Sequence, residues 1–88
     1  MLERELRIIN PLGLHARAAA KLVRTASQYS SAVTLSRDGV TANAKSILRV
    51  LGLAAPCGAT VNIVVDGTDE AQAFAAIDDL FKAGFGEI

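Results

Sequence analysis

A chain of 88 residues with nine Lys and Arg, nine Asp and Glu and one His carries no net charge, so there is no bulk electrostatic case for nucleic acid or direct membrane binding. That length suits one domain, residues 1–88, around a single core of small and aliphatic side chains, since half the residues are hydrophobic and only four are aromatic. The lone Cys57 excludes an internal disulfide and fits a reducing cytosol, the N-terminus carries no basic-then-apolar leader, and no apolar run approaches the roughly 20 residues of a membrane span.

Taken in order, Leu2 to Ile9 reads as a strand, with Leu2, Leu6 and Ile8 on one face and Glu3, Glu5 and Arg7 on the other, although Arg4 breaks the alternation. Asn10, Pro11 and Gly13 bring turn chemistry to a loop ending at Leu14. A helix follows from about Ala16 to Ser27, with Ala19, Leu22, Val23 and Ala26 at the i, i+3, i+4, i+7 spacing of one buried face. Ala32 to Ser36 and Val40 to Asn43 are two strands turned by Arg37-Asp38-Gly39, and Asp-Gly between extended runs signals a hairpin. Ser46 reads as the N-cap of a short helix from Ile47 to Leu51, stopped by Gly52. Its apolar residues cannot all face inward: Val50 is expected in the core, and some of Ile47, Leu48 and Leu51 at the surface. Pro56-Cys57-Gly58 is a turn, and Thr60 to Asp66 a strand with Val61, Ile63 and Val65 on one face opposed to Thr60, Asn62, Val64 and Asp66 on the other. Thr68 is expected to cap a last helix with Asp69 and Glu70 in its first turn, a buried stripe of Phe74, Ile77 and Phe81, and its end at Gly84. The order is β-α-β-β-α-β-α, an α+β two-layer domain with helices on one face of an antiparallel sheet.

The only histidine, His15, falls where the first helix begins. Backbone N–H groups there lack helical partners, and the dipole presents its positive end. A neutral imidazole offers a lone pair and can act as a nucleophile. The first N–H groups, those of Ala16, Arg17 and Ala18, make an anion site suited to a phosphate on that ring. Arg17 can hold phosphate oxygens with its planar fork. Nucleophile, anion hole and cation within three residues point to a histidine that accepts and donates a phosphoryl group.

Gly13-Leu14-His15-Ala16-Arg17 followed by Ala19-Ala20 resembles the phosphorylation site of the HPr family, the histidine-containing phosphocarriers of the bacterial phosphotransferase system. Ala44-Lys45-Ser46-Ile47 resembles the family's regulatory site, and Leu51-Gly52-Leu53 with Gly58-Ala59-Thr60-Val61 its approach to the last strand. The resemblance covers essentially the whole chain. It implies the HPr-like open-faced β-sandwich, with four antiparallel strands in the order 1-4-2-3 and three helices. It makes His15 the phosphoryl acceptor through Nδ1, supplied by phosphorylated Enzyme I and ultimately by phosphoenolpyruvate, and Arg17 the residue that steadies the phosphate. The phosphoryl group would then pass to an EIIA-type domain. The chain would be a covalent relay and not an independent catalyst. Ser46 would be a site for inhibitory phosphorylation by HPr kinase, which sets negative charge beside Ile47 and Leu48. The family commonly has proline where this chain has Ala18, which adds an N–H at the site and fixes the turn less firmly. Ala16 to Ala20 and the ending Leu80 to Phe85 look more like members of the nitrogen-related branch than of the sugar-uptake branch.

Charge is segregated along the chain. Residues 15–52 hold six bases (Arg17, Lys21, Arg24, Arg37, Lys45, Arg49) and one acid, whereas residues 53–88 hold one base and six acids. A basic face around His15 would draw acidic partners, with Lys21, Arg24, Lys45, Ile47, Leu48, Arg49 and Leu51 as docking residues. A module that regulates partners by docking, with no relay, would use the same face and is the alternative reading. An RNA-binding domain is disfavoured because the strands carry no aromatic residue for stacking. One His and one Cys far apart make a poor case for a metal, no glycine-rich nucleotide loop is present, and no cofactor is expected. A cytoplasmic monomer is the default expectation.

Overall fold

A computed structural model describes residues 1–88. The elements are β1 (Leu2–Arg7), α1 (Ala16–Ala26), β2 (Ala32–Arg37), β3 (Val40–Asn43), α2 (Ile47–Gly52), β4 (Thr60–Asp66) and α3 (Glu70–Lys82), closed by a 3-10 turn at Gly84–Gly86. All strand pairs are antiparallel and the order is β1-β4-β2-β3. This is the open-faced sandwich, with the strand order, that the family resemblance implies.

Register follows the period-two pattern. Leu2 pairs with Val65 and Leu6 with Val61 across β1 and β4, and Leu35 pairs with Ile63 across β2 and β4. Val33, Leu35, Ala42, Val61, Ile63 and Val65 are thereby turned to one face and buried. The helices cover that face: α1 packs against α2 and α3, and α3 against β1 and β4. The two-residue hairpin between β2 and β3 has positive φ at both Asp38 (51°) and Gly39 (81°), the backbone that an Asp-Gly turn supplies most easily.

Four expectations are corrected. β1 ends at Arg7 and not Ile9. Past Arg7 the pairing passes to the Pro56–Gly58 turn, where Ile8 N–H donates to Ala59 O at 2.9 Å and Gly58 N–H to Ile8 O at 2.7 Å. In α1 the fully buried face is Ala18, Ala19, Leu22 and Ala26, with Val23 at its margin. In α3 it is Ala73, Ile77 and Phe81, with Phe74 half-buried. Thr68 does not cap α3: Asp69 stands at the N-cap, and its carboxylate is spent on Ser30 and Ser31 instead. Phe85, beyond the last helix, is fully buried, 5.0 Å from Phe81 between ring centroids.

Candidate functional site

The loop from Asn10 to Leu14 sets the histidine in place. Gly13 N–H donates to Asn10 O at 3.1 Å, and the Asn10 amide donates back to Gly13 O at 2.7 Å, closing the turn from inside. Asn10 is fully buried. Its Oδ1 has no partner, so the amide is held by what Nδ2 donates. Gly13 takes φ +66°, and a Cβ there would lie 2.5 Å from Ala55 O. Only glycine permits that approach, which lets Leu14 N–H reach Ala55 O at 2.9 Å and buries the Leu14 side chain.

His15 is the N-cap of α1, extended at φ −75° and ψ −179°, and its side chain does not cap the helix. The first helical bond runs from Ala19 N–H to His15 O at 2.8 Å, which leaves the N–H groups of Ala16, Arg17 and Ala18 without a protein acceptor. Three free donors therefore lie at the positive end of an eleven-residue helix whose N-cap residue is His15. His15, Ala16 and Arg17 line an open cleft with Pro11, Leu12 and Glu87.

The partner of the ring comes from the far end of the chain. His15 Nε2 meets Glu87 Oε2, while Nδ1 has no protein partner. Glu87 Oε1 accepts from Asn10 Nδ2 at 3.0 Å. The Asn10 amide, and then the ring, hold the Glu87 carboxyl below its usual range, against the opposing cost of burial. An acid thus sits beside the histidine although the acids are segregated from it along the chain. Separation in sequence is not separation in space.

The other expected residues are spread around this centre. Arg17 and Arg24 are exposed, and neither guanidinium is paired within the chain. Lys21 reaches from α1 to Phe85 O at 2.6 Å, and Lys45 holds Tyr29 O at 2.8 Å, so both lysines also brace the fold. Ser46 caps α2 by accepting from Arg49 N–H at a long 3.4 Å. Leu48 is 78% exposed and Ile47 39%, whereas Val50 is buried and Leu51 half-buried. Arg49 is exposed beside them. Cys57 is exposed in its turn.

The family model of the PTS HPr component phosphorylation site matches residues 2–83. The chain belongs to the HPr family. The phosphocarrier protein HPr of Xylella fastidiosa (strain Temecula1) is 51% identical over 87 residues, spanning 99% of this chain and 98% of that protein. That of Treponema pallidum (strain Nichols) is 44% identical, spanning 99% of both. A crystal structure of HPr from Thermoanaerobacter tengcongensis superposes with a TM-score of 0.96 at 41% identity, covering 100% of this chain and 99% of that one. The chain is therefore a phosphocarrier of the phosphotransferase system, and HPr membership implies Enzyme I and EIIA domains as its partners.

Within this HPr fold, two residues of the site escape a reading of the sequence alone. Asn10 reads as turn chemistry, yet its buried amide joins the loop to Glu87. Glu87 lies 72 residues from His15. A glycine pair around an aromatic, Gly84-Phe85-Gly86, just before an acid was the only local sign that the chain end turns inward.

Proposed function

We propose that His15 Nδ1 takes a phosphoryl group from phosphorylated Enzyme I, whose ultimate donor is phosphoenolpyruvate, and hands it to an EIIA-type domain. One observation carries this: the ring is held at Nε2 and has Nδ1 free, beside three N–H groups without acceptors and an unpaired Arg17. A phosphate at Nδ1 can be met by helix N–H donors and by the guanidinium fork. The proposed carrier is a single domain that acts as a cytoplasmic monomer.

The exposed Ile47 and Leu48, with Arg49 exposed beside them in α2 and Arg24 exposed on α1, suit a partner surface that is apolar at its centre and acidic at its rim. Ser46 at the edge of that patch is the proposed regulatory site. A phosphate there repels an acidic partner whether or not it alters the helix. The alanine run after Arg17 and the ending Leu80 to Phe85 favour the nitrogen-related branch.

Phosphorus NMR of the protein with Enzyme I and phosphoenolpyruvate, run beside His15→Ala, tests the relay. An acid-labile phosphoramidate signal that the mutant lacks is the expected result. A signal only with the nitrogen-branch Enzyme I assigns the branch. Silence with the Enzyme I of either branch overturns the relay and leaves a docking module.

A further inference from the structure

The chain end that carries Glu87 is a built structure. Gly84, Phe85 and Gly86 take φ of 58°, 55° and 77°, three successive left-handed residues that fold the chain back. Left-handed backbone costs a non-glycine residue roughly 1–2 kcal/mol. Phe85 bears it while its ring is fully buried against Phe81. Lys21 ties the Phe85 carbonyl to α1 at 2.6 Å, and Glu87 N–H donates to Gly84 O at 3.0 Å. The carboxylate at the tip is then shared between His15 Nε2 and the buried Asn10 amide. Its side chain is only 13% exposed.

We propose that Glu87 is a positioning residue for phosphoryl transfer at His15. The inference rests on the reading of His15 as the phosphoryl acceptor and deepens it. A carboxylate can only accept, so it selects the tautomer with hydrogen on Nε2 and leaves the lone pair on Nδ1. Carboxylates that orient a histidine in this way also stabilise the cation that forms when the other nitrogen reacts. In the forward step the Nδ1 lone pair forms the bond to phosphorus while the bond from phosphorus to the donor breaks, and the donor keeps that electron pair. The ring becomes cationic with hydrogen still on Nε2, facing the negative charge of Glu87. On discharge the electrons of the N–P bond return to Nδ1 and the ring leaves neutral. No proton has to move in either direction. Nδ1 and Nε2 lie on different edges of the ring, so the carboxylate does not occupy the phosphoryl position.

The test compares full-length wild type, Glu87→Ala, Glu87→Gln and His15→Ala. Single-turnover transfer from phosphorylated Enzyme I gives the rate, nitrogen NMR of the ring gives the tautomer, and thermal unfolding reports the fold. Glu87→Ala is expected to slow transfer by about tenfold or more, because it removes the negative charge that faces the developing ring cation, and to mix the two tautomers. Glu87→Gln retains an acceptor for Nε2–H without the charge, so it keeps the tautomer and falls between the two in rate. A merely structural role would move the unfolding temperature without this split. A Glu87→Ala rate within about twofold of wild type, or an unchanged tautomer in that variant, overturns the proposal. If wild type forms no phosphohistidine, the relay reading fails by itself, and the tautomer comparison still decides whether Glu87 holds the ring.

Discussion

Ser31 is buried and bound to Asp69 at two points, through its N–H at 2.9 Å and through its hydroxyl. Ser30 N–H donates to the same carboxylate at 2.9 Å. The first residue of β2 is thus reached through a turn clamped to the start of α3. The Ser31 hydroxyl, followed by the backbone donors, pulls the Asp69 carboxyl down to about 2 from 3.8. A carboxyl with a depressed folded value stabilises the fold above its unfolded value, and that contribution is lost as pH falls through the folded one. The thermal midpoint of wild type should exceed that of Asp69→Asn above pH 4, and the gap should close between about pH 4 and pH 2. A gap independent of pH over that window contradicts the assignment.

Gly13→Ala should be strongly destabilising. The new methyl would enter a left-handed residue and lie 2.5 Å from Ala55 O and 2.9 Å from Pro56 Cα, both backbone atoms with little freedom to retreat. Strained backbone alone costs roughly 1–3 kcal/mol, and the clash adds to it. Chemical denaturation measures the loss. The variant should also transfer phosphate more slowly, because the Leu14–Ala55 bond that aligns His15 is the contact displaced.

The parts of this protein legible in its sequence are those set by local period and turn chemistry. β4 is found at Thr60–Asp66 because Val61, Ile63 and Val65 recur at every second position, and the Asp38-Gly39 hairpin because its turn needs positive φ twice. His15 and the helix behind it are legible for the same reason. What escapes is set by packing over distance. Asp69 serves Ser31 and not its own helix, and nothing near Thr68 reveals that competition. Ala18 displaces Val23 from the core because the neighbours of α1 decide which side of its apolar stripe is deepest. Glu87 reaches His15 only once Phe85 has been drawn into the core, a contact no spacing rule encodes.

Ser46→Asp separates capping from charge. Aspartate is as good an N-cap as serine, so the unfolding temperature should hold, while Ser46→Ala should lose about 0.5–1 kcal/mol, the low end for a cap whose bond is 3.4 Å long. The added negative charge should raise the KM for Enzyme I and leave the maximal transfer rate less affected. An unchanged KM removes Ser46 from the docking surface.

Leu48→Ala should leave stability nearly unchanged and weaken docking. A side chain 78% exposed contributes little to the core, so stability should stay within about 0.5 kcal/mol. If Leu48 enters a partner pocket, truncation should cost over about 1 kcal/mol of binding free energy, measurable by calorimetry with either partner.

Ala18→Pro asks how many donors the phosphate uses. The Ala18 N–H has no acceptor in the chain, so proline removes no existing bond. Its ring also restricts the unfolded chain, which stabilises compatible sites by about 0.4–1 kcal/mol. Two effects oppose this: proline disfavours helical backbone at Arg17, and Ala18 has no exposed surface into which the ring could expand. The thermal midpoint should therefore change by no more than a few degrees. The phosphorylated form should be affected more. A hydrogen bond to a charged group contributes about 1.5–3 kcal/mol, so losing one of three donors should shorten the lifetime of the phosphohistidine by about tenfold. Hydrolysis of the purified phosphoprotein, followed by phosphorus NMR, gives that lifetime directly. An unchanged lifetime would assign the phosphate to the N–H groups of Ala16 and Arg17 alone, and would make the identity of residue 18 a matter of helix stability and not of chemistry.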